Sequence, residues 1–385
     1  MDNLTHTLVG LTAAKAGLER LSPGAIAVCL LAANAPDADI LAAFGGSWFY
    51  LKHHRGITHS VVGTLAIALI IPLLFYAGDR IVARLRGRRP GVRLRGLIVA
   101  SLVVSASHPL MDWTNNYGVR PLLPWDGRWF YGDLVYIVDP WLWLSLGGAS
   151  FLLTAKTRWR AFAWGALALV ATLAFVVLPM RVGMNYPVAS RALWLVCLVA
   201  LVVAHRMNFA MNFAVRWGRS IALAALAFVV VYWGALGLLH GRALARAQEV
   251  AVAEAARRQE TVQRVAAMPS LADPTRWRVL AETDRAVYRF ETSLWSRVET
   301  ERDAPGELTR FEKPQGEAAA VATRAAADER ARIFLDFARF PAVRVEGQSC
   351  AEELLVQFAD LRFTEPGRAG RGGNFSLEVT VPPAR

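Results

Sequence analysis

Long apolar runs, repeated at short intervals, restrict this chain more than any other feature. Residues 60–78, 161–179, 190–205 and 220–239 each approach the roughly 20 apolar residues needed to cross a bilayer as a helix. Runs at 96–111 and 139–155 are shorter but nearly uncharged. Residues 4–20 and 23–41 are weaker, the second being interrupted by Asn34, Pro36, Asp37 and Asp39. Lys15 and Arg20 follow the first apolar stretch instead of preceding it, which is not the order of a cleavable signal peptide. Ser22-Pro23-Gly24 is a turn signal that would join these two segments as a helical hairpin. The expectation is an all-α polytopic membrane domain of about eight helices over residues 1–240.

Charge supports this reading. Soluble globular chains have roughly 45–50% apolar and about 25% charged residues, whereas these 385 residues are 55% hydrophobic and 19% charged. Residues 1–240 carry 21 Lys/Arg against 9 Asp/Glu, and residues 241–385 carry 22 of each, so the net +12 belongs to the apolar part. Its cations sit in short gaps between apolar runs, a pattern of membrane topology and not of a nucleic-acid-binding face. No nucleic acid is expected as a partner. The loop 79–95 holds seven arginines and should face the cytoplasm. Counting spans from it puts Lys15/Arg20, Lys156/Arg158/Arg160 and Arg206/Arg216/Arg219 on that side, with Lys52, Arg55, Arg120, Arg128, Arg181 and Arg191 opposite. Both termini are then extracytoplasmic.

Residues 241–385 read as a soluble extracytoplasmic α+β domain. A helix over 243–267 leaves the membrane, and a second lies near 324–339. RWRVLAE, AVYRFETSL, ELLVQFADLRFT and FSLEVTV alternate like half-buried strands, and the Gly/Arg stretch 367–373 is a loop. Cys29, Cys197 and Cys350 are too few and too scattered for a disulfide framework or a thiolate metal site.

Five of the seven histidines (His6, His53, His54, His59 and His108) lie in the first 108 residues. On the charge-derived topology they share one face with Asp37, Asp39, Asp112, Asp126, Asp133 and Asp139. His108 and Asp112 are four apart, so a helix projects both from one side, although Pro109 is awkward inside a helix. Asn34-Ala-Pro-Asp-Ala-Asp39 puts two carboxylates near the end of an apolar run, where they are costly unless paired or coordinating. Lys52-His-His-Arg-Gly-Ile-Thr-His-Ser60 brings three imidazoles to a helix start with Thr58 or Ser60 as cap. Imidazole and carboxylate without thiolate suit a divalent metal, Zn²⁺ first and Mn²⁺ or Fe²⁺ where carboxylates dominate.

Met1-Asp-Asn-Leu-Thr-His-Thr-Leu8, Ala-Asn-x-Pro-Asp-x-Asp39, His54-Arg-Gly-Ile-Thr-His-Ser60 and Ser107-His-Pro-Leu-Met-Asp112, followed by Trp-Thr-Asn-Asn-Tyr-Gly118, together resemble a known family. It is the YdjM-like bacterial inner-membrane family described as membrane-bound metal-dependent hydrolases. The likeness covers roughly residues 1–145 in the same order. It implies His6, Asp37, His54, His59, His108 and Asp112 as metal positions. Apart from the resemblance, a spare Asp or His, here Asp39 and His53, would serve as acid–base group, and nearby Lys52, Arg55 and Arg128 could neutralise an anionic substrate. More distantly, the His-x-x-x-Asp helix with its preceding Asp and Thr-His elements is similar to the zinc-dependent phospholipase C and P1-nuclease group, which implies phosphoester hydrolysis.

The reading that follows is an integral hydrolase of the bacterial inner membrane using a metal-activated water. Its partners would be membrane lipids, and its substrate an ester or phosphoester of a lipid or lipid-linked molecule. One alternative is a metal, ion or proton-coupled transporter, against which the absence of charged residues in 161–179 and 220–239 counts. Another is a non-catalytic assembly or sensor protein with a structural metal. Asp133 and Asp139 are expected to orient a histidine, with ligand and helix cap as the other options.

Overall fold

A computed structural model of the chain describes residues 1–181, 187–294, 308–347, 353–367 and 373–382. Cys350 and most of the 367–373 stretch lie outside the described residues. The helices run in order α1 (Asn3–Lys15), α2 (Ala25–Asn34, continued by 3₁₀ turns to Gly45), α3 (Ser47–His53), α4 (Val61–Leu85) and α5 (Leu94–Trp113). Next come α6 (140–154), α7 (Arg158–Arg181), α8 (Val188–Met211) and α9 (Phe213–Arg257). α6 and α7 each contain a π-helical turn, at Trp143–Gly147 and Leu173–Val177. The remaining chain forms β1 (Val262–Ser270), β2 (Asp273–Thr283), β3 (Ala286–Ser293), β4 (Thr309–Glu312), α10 (Gly316–Ala325), α11 (Glu329–Phe337), β5 (Pro341–Glu346), β6 (Leu354–Asp360) and β7 (Ser376–Val381).

The architecture is the expected one, a helical membrane part followed by an α+β region. Among the described residues, six helices are long and apolar enough to cross a membrane: Ala25–Gly45, Val61–Leu85, Leu94–Trp113, Arg158–Arg181, Val188–Asn208 and one within Phe213–Arg257. The other two of the eight expected are helical but short. At 13 residues α1 measures about 20 Å, against a hydrocarbon core of about 30 Å.

Two compact units divide the residues, and the division is not one cut of the chain. The first comprises Met1–Ala38, Arg55–Gly237 and Ser270–Asp273; the second comprises Asp39–His54, Leu238–Pro269 and Pro274–Arg385. In the first unit α5 packs on α2 and α4, and α1 packs on α2. Their shared core is built of small residues: Ala13, Ala14, Ala25, Cys29, Ala33 and Ala100 are all buried. Small side chains let helices approach closely where lipid supplies no hydrophobic drive for association. Gly10 shows how closely, since a Cβ there would meet the Cys29 carbonyl oxygen at 2.8 Å. Cys29 serves as a small core residue, as expected of a thiol in an apolar run. The Pro72 and Pro109 rings are both accommodated inside their helices.

The second unit holds two antiparallel sheets, ordered β1-β2-β3-β4 and β5-β6-β7. All four expected strands are present, within β2, β3, β6 and β7. The region 243–267 is corrected: α9 continues from the span to Arg257, and 262–270 is strand. Val265 and Ala267 pack into one core and Ala266 and Met268 into another, the alternation of a pleat, although its alanines read as helix. Ala243, Ala247 and Ala251, four apart on one face of α9, are buried against Trp277, Val279 and Tyr288. The single helix near 324–339 is two, because Asp328 caps a new start by accepting from the Arg330 amide. Phe334 of α11 packs on Val356 and Phe358, and Trp48 of α3 joins the same core. Residues 39–54 therefore belong with the C-terminal region although they lie near the start of the chain.

Candidate metal centre

α5 carries His108 and Asp112 one turn apart, both completely buried. Pro109 does not stop the helix, so the two side chains keep the common face that their spacing dictates. α2 ends at Asn34, whose side-chain amide donates to the Leu30 carbonyl oxygen, and Asp37 follows in the first 3₁₀ turn. The short turn Ile57–His59 delivers His59, and Ser60 then caps α4 by accepting from the Gly63 amide at 3.1 Å.

These three stretches bring four ligand atoms together. His59 Nε2 and His108 Nε2 are 3.1 Å apart. Asp37 Oδ1 lies 3.3 and 3.4 Å from them, and Asp112 Oδ2 lies 3.2 and 3.3 Å from them. Zinc bonds of about 2.0–2.1 Å in a tetrahedron put ligand atoms about 3.3–3.4 Å apart. The cluster has the size of a first-row divalent cation.

Proton positions make the same point. His108 Nδ1 is 2.6 Å from the Ala33 carbonyl oxygen, which can only accept, so Nδ1 carries the proton and Nε2 a lone pair. His59 Nδ1 lies 3.1 Å from Thr58 Oγ1, again leaving Nε2 toward the cluster. Asp37 Oδ2 and Asp112 Oδ2 are buried without a hydrogen-bond donor. Two carboxylates and two lone-pair nitrogens thus converge with a deficit of donors, an arrangement that burial penalises severely unless a cation fills it. The residues fit a divalent metal ion.

The surroundings fix Asp112. Its Oδ1 accepts from Arg55 Nη2 at 2.9 Å and from the Met1 amine, leaving Oδ2 for the cluster. Arg55 Nη1 donates to the carbonyl oxygens of Asp112 and Gly118 and to Asn115 Oδ1, at 3.1–3.3 Å, and the guanidinium stacks over Tyr117. Its backbone has φ +50°, a strained value for a side chain with a Cβ, held in place by these bonds. The guanidinium is committed to protein acceptors. Burial, followed by the Arg55 charge, holds the Met1 amine well below its usual range. His6 stacks on His108 with ring centres 3.6 Å apart, and its Nε2 is 3.4 Å from Asp112 Oδ1 with no hydrogen-bond partner.

Of the six expected metal positions, Asp37, His59, His108 and Asp112 form the cluster and His6 touches it. His54 and Asp39 lie in the second unit and pair with each other, His54 Nδ1 to Asp39 Oδ1 at 3.1 Å, with Tyr50 stacked on the His54 ring. His53, in the same unit, places Nδ1 2.8 Å from the Phe49 carbonyl oxygen. Arg128 pairs with Asp126 on an exposed loop. Asp139 is corrected from histidine orienter to helix cap: it accepts from the Trp141 and Leu142 amides, and from the Tyr232 hydroxyl at 3.0 Å. Sequence reasoning missed the Ala33 carbonyl and the Asn115 amide. A backbone acceptor leaves no trace in residue identity, but the Asn115-Asn-Tyr-Gly118 run after Asp112 was a signal for the latter.

Residues 1–183 match the model of the family described as YdjM inner membrane protein. A Bacillus subtilis protein described as the uncharacterized protein YfhP is 27% identical over 155 residues, which is 38% of this chain. The chain spans 44% of that relative's length. No solved structure matches. The family likeness drawn from the four motifs is thus supported over the membrane part that contains the cluster. The second likeness, to zinc-dependent phospholipase C and P1-nuclease, finds no counterpart in these matches.

Proposed function

We propose that this multi-pass membrane protein is a metal-dependent hydrolase acting on an ester or phosphoester of a lipid or lipid-linked substrate. The observation that carries the reading is the donor-deficient convergence of His59 Nε2, His108 Nε2, Asp37 Oδ1 and Asp112 Oδ2. These four residues would hold the ion, with zinc the first choice from bond length and ligand type. A divalent cation bound there supplies Lewis acidity and lowers the pKa of water in its shell toward neutrality.

The chain's own groups do the rest. The Ala33 carbonyl oxygen keeps His108 in one tautomer, so its Nε2 stays a ligand. Arg55 holds Asp112 by the oxygen turned away from the cluster and is a positioning residue, not the substrate cation first expected of it. His6 Nε2 stands beside the cluster, open to a further ligand bond or to a hydrogen bond with the group under attack. Asp39 and His53 remain proposed acid–base groups from their sequence positions. Counted with α1 and α6 as crossings, the topology drawn from charge would put the centre and residues 241–385 on the periplasmic side of the inner membrane, at the level where lipid esters lie; counted with six crossings, the centre keeps that side and residues 241–385 take the cytoplasmic one.

One observation favours a second reading. Four protein donors are enough to close a tetrahedral shell, which is how structural zinc sites are built. A non-catalytic assembly or sensor protein would then use the metal only to lock α2 and α5 to the 57–59 turn. A panel of phosphoester and carboxylic ester lipids separates the two. The hydrolase reading expects turnover that a chelator abolishes and the metal restores; metal retained through purification with no turnover supports the structural reading.

A further inference from the structure

The first unit contains a cavity of about 430 Å³ bounded by α1, α6, α7 and α8. Three indoles, Trp143, Trp164 and Trp194, form much of its wall. An indole N–H is the polar handle by which a tryptophan usually binds a polar ligand. Here each one is used elsewhere: Trp143 donates to Thr5 Oγ1, Trp164 to Thr154 Oγ1 and Trp194 to Thr172 Oγ1, at 2.9, 2.9 and 3.0 Å. Thr172, the one hydroxyl among the described lining residues, donates in turn to the Ala168 carbonyl oxygen at 2.7 Å. A buried water needs two to four polar partners, and the lining side chains offer no free donor. The cavity suits hydrocarbon.

Its neighbours supply hydrocarbon. α7 and α8 are candidate membrane spans, so the cavity lies in a helical wall flanked by lipid tails. The cavity is open on one side, so a chain can enter it from the lipid. Small residues shape it: a Cβ on Gly165 would meet nothing within 4 Å, whereas Gly148 lets α8 approach α6, a Cβ there meeting Leu201 Cδ2 at 2.9 Å. α1 connects the cavity to the metal centre. Leu4 and Leu8, one turn apart, line the cavity, while His6, half a turn from both, touches His108 and Asp112. Trp143 reaches the same helix start from the cavity side, with its N–H also 3.3 Å from Asp2 Oδ2.

We propose that this cavity is the binding site for one acyl chain of the lipid whose head group is presented to the metal centre. The assignment to a substrate rests on the hydrolase reading above; the chemistry of the site, an apolar slot for a hydrocarbon chain, rests on the lining alone. A chain held on one side of α1 fixes where the head group lies at the other, which would make hydrolysis depend on chain length as well as on head group.

The test uses the full chain in nanodiscs of phosphatidylethanolamine and phosphatidylglycerol, with a phosphatidylglycerol tracer carrying a diazirine near the end of one acyl chain. After irradiation, labelled peptides are mapped by mass spectrometry. Labelling should concentrate on Phe151, Leu198 and Leu201. In Gly165→Phe, a substitution that favours the helix and grows into open space, it should fall to the level on Leu65, Leu69 and Leu73 of the exposed α4 surface. His59→Ala should leave it unchanged. Uniform labelling of all apolar helices, or labelling indifferent to Gly165→Phe in protein of unchanged elution profile and metal content, overturns the chain site. So does a crosslink between two copies through these residues in place of lipid. Cavity labelling without turnover of any lipid ester removes the hydrolase reading, and the substrate assignment with it, but leaves the chain site; turnover with an unlabelled cavity removes the chain site alone.

Discussion

Two buried acidic groups in this molecule are treated in opposite ways. In the second unit Glu260 is nearly buried and fully served by protein donors. Its Oε2 accepts from the hydroxyls of Thr283 and Tyr288 at 2.7 and 2.8 Å, and its Oε1 from Arg310 Nη2 at 2.6 Å. In the first unit Asp37 and Asp112 face two lone-pair nitrogens, and each keeps a buried oxygen without a donor. The first arrangement is complete and needs nothing from outside the chain. The second is complete only with a cation. Burial alone does not mark a functional site; the balance of donors against acceptors does.

The largest expected effect tests that balance. Replacing His59 or His108 with alanine removes a neutral ligand but leaves both carboxylates in place. Hydrolysis of any lipid ester the protein turns over should be lost, and added metal should not restore it. Full activity in either variant would place the chemistry elsewhere. Arg55→Lys comes next. A lysine cannot span Asp112, Asn115 and Gly118 with one planar fork, so metal affinity should fall about 10–100-fold, the usual effect of disturbing a ligand's supporting partner. Competition with a chelator of known affinity reads this directly, and an unchanged affinity would show that Asp112 needs no holding.

Glu260→Gln probes the other side of the comparison. It leaves Arg310 and two hydroxyls poorly partnered, and should destabilise the C-terminal region by about 1–3 kcal/mol with metal content unchanged. Thermal unfolding of the full chain in detergent measures the first and elemental analysis the second. A coupled loss of metal would contradict the self-contained character of that network. The smallest effect is one of pH. Burial pushes the Glu260 carboxyl up, but its bonds from Thr283, Arg310 and Tyr288 outweigh this and hold it below the usual range. A carboxyl more acidic in the fold than in the unfolded chain gives stability that is full above the unfolded value and drains away as pH falls through the folded one. Wild-type stability should therefore decline in acid more steeply than that of Glu260→Gln, and parallel profiles would remove the group from the balance.

Much of the centre was legible because its ligands come from short local patterns. The four-residue spacing of His108 and Asp112 fixes a shared helix face whatever the tertiary structure. Asp37 and Asp39 stand out because carboxylates are rare in apolar runs. What could not be read was the choice among neighbours. Asp37 enters the cluster and Asp39 does not; His59 enters and His54 pairs with Asp39. That division follows the boundary between the two units, which passes after Ala38 and before Arg55 and is set by Trp48 packing into a core more than 270 residues away in sequence. The two weaker expected spans, α1 and α6, are helical as expected but shorter than the six long apolar helices.

A cation at the four converging atoms is the central requirement. Elemental analysis of the purified full chain, beside Asp112→Ala prepared identically, tests this most directly. The expected result is about one first-row divalent ion per wild-type chain and a background level in the variant. A wild-type protein that carries no such ion and takes none up from added zinc, manganese or iron, or a variant that keeps its full complement, would contradict it.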